Sequence, residues 1–188
     1  MKYKKIIYLL TLIIIFTTIL KNYNLKAQII GGSSRYYFSN IFNFSLYGEY
    51  PLKYFTTGIN LKYIISDTEI LPFQYFDTAF YEKFGNKKLY FQAGGGISYG
   101  YNELLSFTSY FFYLGGGVYN FIKNIPLGIK TDIEFYNGSM NIYPEIYLLF
   151  YFNKRISIKT ASANLLLIDF DNSPIFYTGI QWGINYEF

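Results

Sequence analysis

The sequence predicts an all-β fold: a closed, antiparallel, up-and-down barrel that crosses a membrane with about ten strands. Apolar and polar residues alternate with a period of two over runs of 10 to 13 residues, which is the pattern of strands with one greasy face. The chain is 23% aromatic and only 15% charged, whereas ordinary globular proteins are about 25% charged. Beyond the first segment, no run of 18 apolar residues indicates a membrane-spanning helix.

The first segment has the features of an export signal. Residues 1–27 are predicted to form a cleaved signal peptide, and 28–188 a single barrel domain. Three lysines among the first five residues precede an apolar run from Ile6 to Leu20, and Ala27 is the expected cleavage position. The apolar run has 15 residues, fewer than the roughly 18 of a helix that stays in the membrane.

Removal of this segment changes the charge of the chain. It takes away five of the 16 Lys and Arg residues, so that 11 basic residues remain against 12 acidic ones. The apparent net charge of +4 therefore becomes about −1. No basic patch remains that would attract a polyanion, and we expect no nucleic-acid partner.

The alternating runs mark the strands in chain order. In the run 55–65, Ile59 and Leu61 share one face, while Asn60 and Lys62 lie on the other. A tilted strand needs about 9 to 11 residues to cross a bilayer, and soluble strands usually have about 5 or 6. Nine such strands are predicted, at 42–50, 55–65, 74–84, 89–101, 107–120, 127–136, 142–152, 156–164 and 175–188.

A tenth strand is predicted because closed single-chain barrels of this kind have an even number of strands. The segment 29–38 supplies it, with a turn near Ser39 and Asn40. The alternative is eight strands with the first segments forming a cap. The alternation slips in three runs, at 74–84, 107–120 and 156–164, and slips of this kind indicate bulges.

The connections form two sets with opposite charge. The short set carries only basic charges, at Lys53, Lys87, Lys88, Lys123, Lys154 and Arg155. The other set is longer and carries only acids, at Asp67, Glu69, Glu103, Asp169 and Asp171. Hairpins that cross a membrane and return have two such unequal ends. We expect most of these acids to be solvated, with a divalent cation or a basic surface ligand as the alternative. The apolar segment 165–170 is either an extension of its strand or a contact for a partner.

The last strand keeps its pattern up to Phe188. We expect it to pair with the first strand, because lipid offers no water to unpaired backbone groups. Here the chain resembles small outer-membrane β-barrels of Gram-negative bacteria, of the OmpA/OmpX type. Their closing strand resembles a pattern of polar, any, glycine, two of any, aromatic, any, aromatic, which Gln181, Gly183, Tyr186 and Phe188 match. The resemblance implies the cell outer membrane as location, its lipid as surroundings and recognition by the barrel-assembly machinery, and we expect a monomer.

The alternation directs seven charged residues into the lumen: Lys62, Lys130, Asp132, Glu134, Glu145, Lys159 and Glu187. Small barrels fill their interior with side chains, so we expect these groups to pair in a satisfied polar network. Acid–base chemistry by Asp132 and Glu134 is the alternative. The chain has neither histidine nor cysteine, and we predict no catalytic residue, no metal ligand and no cofactor. The glycine runs 94–96 and 115–117 lie inside strands, whereas phosphate-binding loops precede a helix.

The sequence therefore predicts a non-enzymatic outer-membrane barrel, a surface, structural or adhesion-type protein with a side-chain-filled lumen. A narrow porin-like channel for small solutes is the alternative, since ten strands enclose more space than eight. An exported soluble β-barrel is a further alternative. Its weakness is the large outward apolar surface, because soluble monomers expose apolar patches of only a few hundred Å².

Overall fold

Ten antiparallel strands close into one barrel in the computed structural model, which describes residues 29–66, 73–102, 105–120 and 125–188. The strands are β1 (Ile29–Tyr37), β2 (Ile41–Pro51), β3 (Thr56–Ser66), β4 (Phe73–Gly85), β5 (Leu89–Tyr101), β6 (Ser106–Tyr119), β7 (Leu127–Tyr136), β8 (Ser139–Tyr151), β9 (Ile156–Asp169) and β10 (Ile175–Glu187). Each strand pairs with its chain neighbours, and β1 pairs with β10. Within the described residues, no helix is long and apolar enough to span a membrane. The predicted signal peptide 1–27 lies outside the described residues.

The prediction of ten strands is confirmed, and the eight-strand alternative with a cap is wrong. β1 occupies the segment 29–37 and pairs along its whole length with both β2 and β10. Barrels of the OmpA/OmpX type have about eight strands. The resemblance to that type therefore extends to the up-and-down topology and not to the strand number.

The expected bulges are absent from the described strands, where the pairing keeps a constant register. The alternation slips for another reason. Near one end of the barrel the inward positions are themselves apolar, including Phe73, Phe107 and Leu165. Both faces of β4, β6 and β9 are apolar there. The sequence therefore no longer alternates between apolar and polar residues, although the strand keeps its regular pleat.

The two ends of the barrel differ in charge as predicted, but the turns at the acidic end are not consistently longer. We call the basic end the one where Ile29 pairs with Glu187 and where the turns 52–55, 86–88 and 152–155 lie. The acidic end carries the turns 38–40, 137–138 and 170–174. These turns have two to five residues, against three or four at the basic end, so consistently longer acidic connections are not found among the turns that are described completely. The connections around 67–72, 103–104 and 121–124 lie partly or wholly outside the described residues.

Longer strands explain the difference. β9 continues to Asp169, so the apolar segment 165–170 is mostly strand, as the first of the two sequence interpretations has it. β8 begins at Ser139 rather than at 142, because Asn137 and Gly138 form a tight turn in which Gly138 has a φ of 88°. β7 ends at Tyr136, whereas β6 extends beyond its first pair with β7 at Phe112.

The outer surface is apolar around the barrel. Phe80, Phe112 and Ile184, on three different strands, are each about 60% exposed, at 63%, 62% and 58%. Trp182, Tyr99 and Tyr101 face outward as well, where aromatic residues form interfacial belts in membrane barrels. A closed sheet with this exterior is the architecture of outer-membrane β-barrel proteins.

The ladder between β8 and β9 has a gap in its backbone pairing. The β8–β9 ladder is interrupted between Ile142 and Tyr147, at Pro144, which has no N–H to donate. Two outward side chains of β9 replace the missing bonds. Ile146 N donates to Ser162 Oγ at 3.1 Å, and Asn164 Nδ2 donates to the Pro144 carbonyl at 3.2 Å. The Ile146 N–H and the Pro144 carbonyl are thereby satisfied without water.

We expect Ser162→Ala to lower the free energy of unfolding by about 1–3 kcal/mol, because the Ile146 N–H then faces lipid without an acceptor. The measurement is the urea midpoint of the refolded protein in detergent micelles. Thr160→Ala, on the same strand and face, is the matched control and is expected to change little. Equal effects of the two substitutions would contradict this role for Ser162.

Candidate functional site

The lumen is the candidate functional site, because the inward faces of all strands converge there. Its ion pairs in the described residues join five cations with five anions: Arg35, Lys62, Lys83, Lys130 and Lys159 with Glu49, Asp77, Asp132, Glu134 and Glu145. Their formal charges cancel as a whole. They do not cancel at each level of the barrel, because the groups form three clusters.

The first cluster lies toward the acidic end and has an excess of negative charge. Lys62 Nζ lies 2.6 Å from Glu134 Oε1 and 2.9 Å from Asp77 Oδ2. Lys62 is 4% exposed and Asp77 3%. The Tyr143 hydroxyl donates to Glu134 Oε2 at 2.8 Å, and Ser98 Oγ donates to Asp77 Oδ1 at 2.5 Å. One cation thus faces two carboxylates, which also accept hydrogen bonds from the hydroxyl groups of Ser98 and Tyr143.

The second cluster is central and has an excess of positive charge. Glu145 contacts three cations: it lies 3.4 Å from Arg35, 3.8 Å from Lys130 and in direct contact with Lys159. Lys130 also pairs with Asp132 at 2.7 Å. Three cations therefore share two carboxylates. Arg35 Nε donates to Gln181 Oε1 at 2.7 Å, which joins β1 to β10 inside the lumen.

The third cluster lies at the basic end. Lys83 Nζ binds both oxygens of Glu49, at 3.0 and 3.1 Å, and the Tyr81 hydroxyl donates to Glu49 at 3.1 Å. Farther out, Lys87 pairs with Glu187 at 2.7 Å, with the Lys87 side chain 71% exposed. This last pair is at the mouth of the barrel and is open to solvent.

The structure brings six of the seven predicted lumen residues into the two buried clusters nearest the middle. The exception is Glu187, which faces inward but lies at the mouth. Sequence reasoning missed other members of the clusters, which are Arg35, Glu49, Asp77 and Lys83. It also missed Gln92, whose side-chain amide donates to Asp132 at 2.9 Å. The alternation would place each of them inward, but only the register shows that Asp77 lies directly across from Lys62.

The lumen is not completely filled. A cavity of about 230 Å³ reaches in from the basic end and is lined mainly by charged and hydroxyl side chains. A second cavity of about 1010 Å³ lies at the acidic end, and we call it the vestibule. Its lining is mostly aromatic and aliphatic, which the sequence analysis did not predict. Tyr143 lines both cavities and is 4% exposed, so the layer that contains it separates them.

The residues of the predicted assembly pattern lie on both faces of β10. Gln181 is buried and accepts the bond from Arg35. Gly183 lies against the backbone of β1, where an added Cβ would fall 2.8 Å from the Gly32 carbonyl oxygen. Tyr186 and Phe188 point outward, with their rings edge to face at 4.8 Å. The two aromatic members are thus presented to the outside of the barrel.

The glycine runs lie in strands β5 and β6. An added Cβ at Gly96 would fall 2.4 Å from the Phe111 ring, and one at Gly117 would fall 2.9 Å from the Tyr90 ring. These glycines leave room for inward aromatic residues of neighbouring strands. The segment after each run is strand, so the arrangement is unlike a phosphate-binding loop.

We expect Lys62→Met to lower the free energy of unfolding by about 3–5 kcal/mol, because it leaves Asp77 and Glu134 buried without their cation. The triple substitution Lys62→Met, Asp77→Asn and Glu134→Gln is expected to recover most of the loss. Urea titration in micelles measures both. Lys87→Met, which breaks the exposed pair at the mouth, is the control and should change little. A Lys62→Met barrel as stable as the wild type would contradict the buried pairing.

No family model matches the chain, and no curated protein does. Among solved structures, the chain is similar to a KdgM porin, with 13% identity, a TM-score of 0.40 and coverage of 85% of this chain and 99% of that one. An anion-selective porin from Comamonas acidovorans has 11% identity and a TM-score of 0.41, with coverage of 85% and 59%. A major outer membrane protein from Thermus thermophilus has 7% identity and a TM-score of 0.37, with coverage of 85% and 98%. Likenesses of this size leave the function of the chain open.

Proposed function

We propose that this protein is a narrow, porin-like channel for small solutes in the outer membrane of a Gram-negative cell, with its acidic end outside. One observation carries the proposal. The ten-stranded wall encloses more space than its side chains fill, so that cavities of about 230 and 1010 Å³ enter from opposite ends and share Tyr143 in their lining. Eight-stranded barrels are just filled by side chains.

The residues between the two cavities determine how such a channel conducts. Between the two cavities, a solute meets Lys62, Glu134 and Tyr143, which hydrogen-bond to one another. A path opens there only when the Tyr143 ring moves aside, because this ring lies against both Lys62 and Arg35, at 5.0 and 5.5 Å from its centroid. We therefore propose a channel of low conductance that admits small hydrated solutes.

A second candidate is a non-conducting surface or structural protein. It is favoured by the burial of the first two ion-pair clusters, in which Lys62, Asp77 and Glu145 are each less than 5% exposed. In that case the ion pairs seal the lumen, and the turns and the vestibule at the acidic end carry the function. Both candidates are non-enzymatic.

Single-channel recording in a planar bilayer distinguishes the two. For the wild-type protein we expect a small, reproducible ion current, and for Tyr143→Ala a several-fold larger one, because the ring that separates the cavities is gone. Tyr143→Phe keeps the ring and is expected to conduct like the wild type. Tyr99→Ala, on the lipid-facing surface, is the control for general effects of aromatic loss.

Folding is checked by gel mobility before and after boiling, since a closed barrel migrates as a compact species until it is heated. Folded wild-type protein without current would refute the channel and favour the sealed barrel. A current that is the same in Tyr143→Ala as in the wild type would also refute a path past Tyr143.

We further propose that Gln181, Gly183, Tyr186 and Phe188 form the signal by which the barrel-assembly machinery recognises the chain. The outward position of the two aromatic residues supports this proposal, because they are accessible from outside the strand. Phe188→Ala is expected to reduce the folded fraction in cells several-fold, while the purified variant refolds in detergent as well as the wild type. Phe176→Ala, at the other end of the same face, is the control. Equal losses in cells and in detergent would indicate a defect of folding rather than of recognition.

A further inference from the structure

The vestibule contains a cluster of three aromatic rings from two strands that are not neighbours. Phe73 and Tyr75 of β4 lie 5.8 Å apart, and Phe107 of β6 lies 6.4 Å from Phe73 and 5.8 Å from Tyr75, measured between ring centroids. All three line the vestibule, and Phe107 is 41% exposed. The rings are tilted or edge to face rather than stacked on one another.

A glycine makes this cluster possible. Gly100 of β5 lies between the two strands, directly across from Tyr75 on one side and from Phe107 on the other. An added Cβ at Gly100 would fall 2.5 Å from the Phe107 ring. Because position 100 has no side chain, the rings of β4 and β6 meet over β5. The next inward position of β5 is Ser98, which donates a hydrogen bond to Asp77 at the floor of the vestibule.

The charge around the vestibule has one sign. The ionisable acids in its described lining are Asp77 at the floor and Asp169 at the rim, and this lining contains neither lysine nor arginine. With Asp77 counted once, the charges of Lys62 and Glu134 beside it cancel, so this cluster as a whole contributes one net negative charge. The cations in excess lie deeper, around Glu145. An anion is thus disfavoured in the vestibule, whereas a cation is attracted.

The remainder of the lining combines aliphatic and aromatic side chains with neutral polar ones. The apolar members include Ile41, Ile64, Leu165, Leu167 and Tyr177, and the polar ones are serine, threonine and asparagine residues such as Ser98, Ser109 and Asn141. The volume of about 1010 Å³ is at the upper end of the roughly 300–1,000 Å³ of ordinary small-molecule sites. Apolar walls, ring faces and net negative charge together match one class of ligand. Aromatic faces bind organic cations, above all those whose charge is spread over an apolar body.

We propose that the vestibule is a binding site for a small lipophilic organic cation, held by the rings of Phe73, Tyr75 and Phe107 above the carboxylate of Asp77. The cation enters from the acidic end. Binding does not require a conducting lumen, since the site lies entirely on one side of Tyr143. Binding in the vestibule is therefore independent of conduction through the lumen, and each can be measured without the other.

The test is isothermal titration calorimetry of the full barrel in zwitterionic phosphatidylcholine nanodiscs, with empty nanodiscs subtracted. Tetraphenylphosphonium is the probe, and tetraphenylborate is its anionic counterpart of the same shape. We expect saturable binding of one phosphonium per barrel and binding of the borate at least tenfold weaker. Absent phosphonium binding, or a borate affinity equal to it, would overturn the proposal on the wild-type protein alone.

Substitutions separate ring faces from simple apolar contact. Phe107→Leu and Tyr75→Leu keep apolar volume but remove the π face, and each is expected to weaken phosphonium binding by about tenfold. Gly100→Val is expected to do the same by displacing Phe107. Tyr110→Leu, on the outward face of β6, is the matched control and should bind like the wild type.

Asp77→Asn tests the charge. It keeps the shape of the side chain and is expected to weaken the phosphonium while strengthening the borate. Gel mobility before and after boiling verifies that each variant is folded. Leucine variants that are folded and bind phosphonium with wild-type affinity would show that only apolar contact is at work, and would refute the aromatic site.

Discussion

Backbone hydrogen bonding in the absence of water is the constraint on which this structure depends. Lipid accepts no unpaired N–H or C=O group, so a sheet with a greasy exterior must close on itself. The pairing of β1 with β10 meets that requirement along nine residues of β1. Where Pro144 interrupts the ladder, Ser162 and Asn164 take over the missing bonds. Side chains therefore replace part of the backbone pairing where the regular pattern is broken.

Closure determines what the interior has to be. With hydrocarbon outside, most charged residues of the strands point into the lumen, where each one needs a partner because its hydration is lost. Their totals balance, but the geometry distributes them unevenly, with negative excess around Lys62 and positive excess around Glu145. The buried layer around Lys62, Glu134 and Tyr143 divides the lumen into two chemically different cavities.

The vestibule and the charged layer use the same alternation of the strands for opposite purposes. Inward positions in the basic half and the middle carry polar groups, whereas those at the acidic end carry rings and aliphatic side chains. The change of lining along β4, from Asp77 to Tyr75 and Phe73, takes place within two pleats. A molecule that enters from the acidic end meets an apolar, negatively charged chamber before it reaches the ion pairs.

The sequence by itself determined the up-and-down order and the inward direction of residues such as Lys62 and Glu145, because alternation is a local property that follows from the pleat. It favoured ten strands over eight, and the pairing of β1 with both β2 and β10 decided between them. The tertiary structure alone decided which groups meet, since Lys62 is 72 residues from Glu134 and Arg35 is 110 from Glu145. It also decided that Glu187 lies at the mouth and that Tyr75 and Phe107 meet over Gly100. Such contacts depend on register and on ring closure, and these are set by the pairing of all ten strands together rather than by any one of them.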